Sequence, residues 1–375
     1  MFGYRNLGFG VDANAGGAAT VNWSNYDSTG DKTPVVFSAV ATSRIACVNI
    51  DSTRALIVYR GTSNYCRARI ASVDGDGLVT FGTEAVVLSA SILDADVRLL
   101  DSTHAIVVVE SGSAVKCIAI EFSGTTISSV GSAVSTESVN SDHLAVAAIS
   151  STEFFVAYED TAANPRVFYA TVSGTTVTMG NGIDFDTLNL NDMSMCKLNS
   201  TQAVILAANA GTPDFEAHLI GYTGTTPQVD DSVTVKNGSY TSNATDIERI
   251  DDNTLIAVYT SSFGTVDTWA VIITESGGSL TVHTEETINA NLAEEQGIAI
   301  MDSTHAVSTM GRNSVNMEST VIEISGTTLT ALTTYENVSG DKEYVGNCPV
   351  GQNWVLACYE DDNNSSYGTA MVLGV

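Results

Sequence analysis

The chain has 375 residues and a formal net charge of -28, from 43 Asp and Glu against 15 Lys and Arg. A field of that sign repels phosphate backbones and anionic membrane surfaces, which argues against a nucleic-acid partner. Ser, Thr, Val, Ala and Gly dominate, Pro occurs only five times, and stiff β-branched side chains suit strands, so almost no helix is expected. No apolar run approaches the roughly 20 residues that span a bilayer, so no membrane insertion is expected.

Residues 1–33 form a Gly- and Ala-rich arm with isolated Phe2, Tyr4, Arg5 and Phe9. It lacks the apolar stretch of a signal peptide, so no leader and no anchor are expected. One reading is a disordered tail. The other is an attachment segment that orders on a partner and buries those aromatic rings.

From residue 34 to 375 the chain is periodic. A short polar turn recurs at Asp51-Ser52-Thr53, Asp101-Ser102-Thr103, Ser150-Ser151-Thr152, Asn199-Ser200-Thr201, Asp251-Asp252-Asn253, Asp302-Ser303-Thr304 and Gly351-Gln352-Asn353, every 49 to 52 residues. Its first side chain is placed to bond the backbone two residues on. A nearly continuous apolar run follows each turn, such as Ala55 to Tyr59 or Ala105 to Val109, as expected of a strand covered on both faces. A further strand ends in a second repeated turn, Ser123-Gly124-Thr125-Thr126 in the second unit and Asp74-Gly75-Asp76-Gly77 in the first. A fourth strand completes the unit.

Seven such units without helices describe an all-β, seven-bladed β-propeller of four-stranded antiparallel blades. The seventh unit lacks its outer strand, and Val35 to Ala39 is placed to supply it and close the ring. The sixth blade has the most polar second strand, Ala306 to Arg312, and is expected to be the loosest or to contact a partner. Six cysteines, at 47, 66, 117, 196, 348 and 358, form no metal-type pairs and read as buried free thiols.

Both repeated turns fall on one face of the disc. The opposite face carries the non-repetitive loops and the crossovers between blades, where function usually resides. Candidate ligand-binding residues there are Arg60, Tyr65, Asp160, Asp214, Phe215, Phe263, Arg312, Asp361 and Tyr367. Single aromatics among polar groups suit glycan binding, and equally an ordinary solvated loop. The innermost strands begin with carboxylates, Asp94 and Asp96, Asp142, Asp192, Asp246, Glu295 and Glu343, with Arg44 instead in the first blade. These are expected to crowd the mouth of the central channel, as a solvated acidic rim or, in the sharper reading, as a Ca2+ site. No other metal and no cofactor is expected.

Asp101-Ser102-Thr103-His104 holds a carboxylate, a hydroxyl and an imidazole in a row. Its interchangeable versions elsewhere mark it as a hairpin turn, and no nucleophile elbow or phosphate loop is present. No enzyme activity is expected, although a glycosidase using paired rim acids stays open. The whole of 34–375 resembles the propellers found among tailed-bacteriophage structural and adsorption proteins, and Met1 to Gly10 is similar to the short segments by which virion appendages dock. The resemblance is at the level of the fold. It implies a virion-surface protein assembled in the host cytoplasm, held to other virion proteins by its arm and binding host glycan or protein. A secreted or surface bacterial lectin-like propeller and a glycoside hydrolase or lyase are the alternatives.

Overall fold

The computed structural model describes residues 32–374 except 113, 138–140, 161–163, 211–213, 238–243, 262–266, 292, 294, 313–315 and 352. The arm residues Phe2, Tyr4, Arg5 and Phe9 lie outside the described residues. Strand β1 (Val35–Ala41) precedes blade 1, built from β2 (Ser43–Asp51), β3 (Arg54–Arg60), β4 (Tyr65–Val73) and the outer pieces β5 (Val79–Phe81) and β6 (Ala85–Ser91). Blade 2 is β7 (Asp94–Leu99), β8 (His104–Glu110), β9 (Val115–Ser123), β10 (Thr126–Val130) and β11 (Val134–Ser135). Blade 3 is β12 (Ser141–Ala148), β13 (Glu153–Asp160), β14 (Pro165–Ser173) and β15 (Thr176–Asp184). Blade 4 is β16 (Leu190–Lys197), β17 (Ala203–Asn209), β18 (Asp214–Thr223) and β19 (Thr226–Asn237).

Blade 5 comprises β20 (Thr245–Asp251), β21 (Thr254–Ser261), β22 (Asp267–Ser276), β23 (Ser279–Val282) and β24 (Glu286–Asn289). Blade 6 is β25 (Glu295–Ile300), β26 (His305–Arg312), β27 (Asn316–Ser325) and β28 (Thr328–Ser339). Blade 7 runs β29 (Lys342–Val350), β30 (Trp354–Asp361) and β31 (Tyr367–Gly374), and β1 adds to β31 as its fourth strand. Every pairing is antiparallel, and each blade is a separate sheet in the ring of a seven-bladed β-propeller.

The period-2 geometry of a strand explains the apolar second strands. Leu56 and Val58 of β3 pack with Val97 and Val107 of blade 2, whereas Ala55, Ile57 and Tyr59 pack with Cys348 and Leu356 of blade 7. Each such strand therefore serves two inter-blade cores at once, and a polar residue on either face would be buried. Outer strands meet water instead, as the alternating exposure of β10 shows.

The repeated turns behave as their chemistry requires. Asp101 Oδ1 accepts the Thr103 N–H at 2.7 Å and the Thr103 hydroxyl at 2.8 Å, and Asp51 and Asp302 do the same. Gly124 and its counterparts in the second turn sit at left-handed φ values such as 59° and 56° (Gly174), where a side chain would be strained. These turns also meet the neighbouring blade. A Cβ on Gly131 would lie 2.0 Å from the Thr175 carbonyl oxygen, so glycine is what lets blade 2 approach the second turn of blade 3.

Ring closure follows the expected route. Val35 and Val36 pair with Ala370 and Thr369, the Lys32 N–H reaches the Val372 carbonyl at 2.8 Å, and Phe37 buries its ring 5.0 Å from Tyr59 of blade 1. In blade 6 the mid-strand hydroxyl residues of β26 are buried rather than exposed. Ser308 and Thr309 are inside, and Asn347 of blade 7 donates to the Thr309 hydroxyl. All six cysteines are buried and free. Among the described residues no helix is long and apolar enough to cross a membrane.

Candidate functional site: the central channel and the crossover face

The first strands of the blades surround a cavity of about 570 Å3, lined by Arg44, Asp94, Asp96, His143, Asp192, Asp246 and Glu295 among others. The acids lie at two depths. Asp94, Asp192 and Glu295 pair with equivalent positions on the second strands, Glu110, Ala208 and Gly311. Asp96 and Asp246 sit one pleat deeper, opposite Val108 and Val258. Arg98 lies below them, donating to Val97 O at 2.8 Å and reaching from blade 2 to the Met195 carbonyl of blade 4 at 3.1 Å.

Arg44 is not the counterpart of the acids, as its place in the sequence suggested. The pairing of β2 with β3 jumps between Ser43 and Ala46, and Arg44 has φ 52°. It is an extra residue in a bulge, which re-aims its side chain into the channel. His143 is the same device in blade 3, with φ 50° and a register shift between Asp142 and Leu144.

A freely solvated rim is also not what the carboxylates form. Asp96 Oδ2 accepts the Val146 N–H at 3.0 Å, Asp192 Oδ2 the Thr245 N–H at 2.7 Å and Asp246 Oδ2 the Ile298 N–H at 2.8 Å. Each bond runs from one first strand to the first strand of the next blade. The inner edges of the strands, which have no sheet neighbour on that side, are thereby satisfied and stapled together.

Confinement changes the chemistry of the shallow acids. Burial raises Asp94 to about 6 despite the Arg44 charge and the Ala95 N–H. Burial raises Asp192 to about 7 against the Thr245 bonds, and raises Glu295 to about 8 with help from the Asp192 and Asp94 charges. Among the described residues, the channel acids bring no three oxygens within 4.8 Å of one another, apart from Glu343 with Asp341 and Asp362 at the blade 7 edge. The side chain of Asp142 lies outside the described residues.

On the crossover face the expected ligand-binding residues are dispersed. Arg60 bonds Asn64 at 3.1 Å, Asp160 accepts the Asn164 N–H at 3.1 Å, and Asp361 receives the buried Lys342 ammonium at 2.6 Å. Tyr65 and Tyr367 are half-buried. Phe215 is a correction: it is 1% exposed in the blade 4–blade 5 core, with its ring 4.6 Å from that of Tyr259. Phe263 lies outside the described residues, as do the side chains of Asp214 and Arg312.

Sequence reasoning missed a second recurring constellation. The buried Tyr59, Tyr158 and Tyr259 end three of the apolar runs, and their hydroxyls donate to Glu84, Glu137 and Glu285 at 2.5, 2.5 and 2.7 Å. Arg67, Arg166 and Lys236 then pair with the same carboxylates. The recurring Thr-Glu dipeptides at 83, 136 and 284 were the available signal. Desolvation and the adjacent carboxylates push Tyr59 and Tyr158 well above their ordinary range, so these phenols are structural donors.

No protein-family model matches the chain, and a search of curated proteins finds no relative. Solved structures resemble it in fold. The WD40 domain of Toxoplasma gondii coronin aligns with a TM-score of 0.56 at 10% identity, over 92% of this chain and 88% of its own. A Lactobacillus plantarum protein solved by structural genomics gives 0.54 at 9%, over 81% and 86%. Saccharomyces cerevisiae Sqt1 gives 0.53 at 10%, over 88% and 83%. At such identities the likeness is one of architecture, with no bearing on activity or ligand.

Proposed function

We propose that the protein is a non-enzymatic binding propeller, a virion-surface component whose crossover face engages a glycan or protein on a host. The observation that carries this reading is the division of labour between the faces. The repeated turns are self-satisfied and the deep channel acids are tied to neighbouring backbone, whereas the crossover face holds the chain's non-repetitive polar and aromatic loops. A rigid disc with one variable face suits recognition. The arm, residues 1–33, is the proposed attachment to other virion proteins.

Purified protein on a glycan array and on host cells tests the binding, and Tyr367→Ala and Arg60→Ala should each weaken it several-fold without lowering Tm. Immunogold labelling of particles tests the location. One observation favours a second reading: proton-holding acids in a cavity are what a glycoside hydrolase would need. Release of reducing ends by the wild type and its loss in Asp192→Asn would establish the enzyme and overturn the binding reading.

A further inference from the structure

A second group of titratable residues lies away from the channel, where the connection between β15 and β16 crosses the outer half of blade 4. Glu216 and His218 are two apart on β18 and so project from the same face of the sheet. Asp186, from the connection, comes down on them. The three present one oxygen or nitrogen each within 4.8 Å of one another. His218 Nε2 lies 3.5 Å from Asp186 Oδ2 and 3.8 Å from Glu216 Oε2.

Those separations are too long for good hydrogen bonds. They are close to the edge of a coordination tetrahedron, about 3.4 Å for metal–ligand bonds of about 2.1 Å. His218 is only 2% exposed, and neither its Nε2 nor Asp186 Oδ2 has a hydrogen-bond partner although both are buried. A buried imidazole nitrogen without a hydrogen bond is costly, and an ion between the three groups would satisfy it.

The surroundings orient the ligands. His218 Nδ1 lies 2.9 Å from the Ser232 hydroxyl, on the residue paired with it across the sheet. With the proton on Nδ1 and donated to Ser232, the Nε2 lone pair faces the two carboxylates. Asp186 Oδ1 accepts the Thr187 and Leu188 N–H groups at 2.6 and 3.2 Å, which leaves Oδ2 turned toward His218. Glu216, a quarter exposed, is the side from which an ion would enter.

We propose that Asp186, Glu216 and His218 bind one divalent transition-metal ion of the Zn2+ class, clamping the blade 3–blade 4 crossover onto blade 4. One imidazole and two carboxylates suit that class better than Ca2+, which takes oxygen ligands only. Three protein ligands leave a coordination position for water at the crossover face. The full chain, stripped with chelator and titrated with Zn2+ by calorimetry and with Co2+ by visible absorption, tests this. Expected are one equivalent of Zn2+, a Co2+ spectrum of low coordination number and a Tm several degrees higher with metal.

Glu216→Gln, a near-isosteric change at a part-exposed site, should weaken Zn2+ at least tenfold, and Ser232→Ala should weaken it about 10- to 100-fold as loss of an orienting partner does. Asp192→Asn in the channel should leave it unchanged. No Zn2+ or Co2+ uptake by the wild type would overturn the proposal. So would equal affinity in Glu216→Gln, or loss of uptake in Asp192→Asn alone.

Discussion

At the scale of the residue, the carboxylates of the inner strands do two jobs, tying blade to blade and holding protons, and Asp192 does both. Asp246 stands for the deep ones: its Oδ2 satisfies the Ile298 N–H of the next blade at 2.8 Å, and Ile298 is 2% exposed. Asp246→Ala leaves that N–H without its partner, and chemical denaturation should show a loss of about 1–3 kcal/mol. The shallow ones titrate. Asp94, Asp192 and Glu295 keep their protons in the fold up to about pH 6, 7 and 8, while an unfolded chain releases them near about pH 4. Between those limits the native state binds more protons, so these groups make stability fall as pH rises from about 4 to about 8. Denaturant melts at pH 5 and pH 8 should show the wild type losing stability on the way up and Asp192→Asn with Glu295→Gln losing less; equal losses would refute the assignment.

At the scale of the element, the strand–turn–strand unit was legible because its causes are local. An Asp two residues before a backbone N–H makes its own turn, and an uninterrupted apolar run declares a strand buried on both faces. Contacts between units were not legible. Gly131 reads as a loop glycine, yet it is the point where the second turn of blade 3 touches blade 2. Gly131→Ala should cost about 1–3 kcal/mol through that overlap, measured as a lowered denaturation midpoint with unchanged slope. The bulges at Arg44 and His143 were equally hidden, since an inserted residue shows only once the pairing partners are known. Phe215 misled for a related reason: it lies two residues from a loop, but strand alternation turns its ring inward.

At the scale of the molecule, the ring is held by the exchange of an end strand. Strand β1 lies in the same sheet as β29 to β31 although some 300 residues separate them in the chain, and Phe37 anchors that strand between blade 7 and blade 1. Deleting residues 1–40 should therefore lower and broaden the melting transition of the whole propeller, because β31 becomes an open edge and the blade 7–blade 1 core loses a wall. A truncated chain that melts with the cooperativity and Tm of the full one would show that closure rests on the inter-blade cores alone.

The sequence by itself determined the unit, the number of blades, the closing strand and which turns share a face, because each is written in a spacing along one chain. It named the acids of the channel but not their roles. Only the tertiary structure decided that Asp96, Asp192 and Asp246 staple one blade to the next, that Arg98 spans from blade 2 to blade 4, and that Asp186 meets Glu216 and His218. The physical reason is that side chains converge through the angle between blades and the register of strands about 50 residues apart. Neither quantity leaves a periodic trace in the order of the residues.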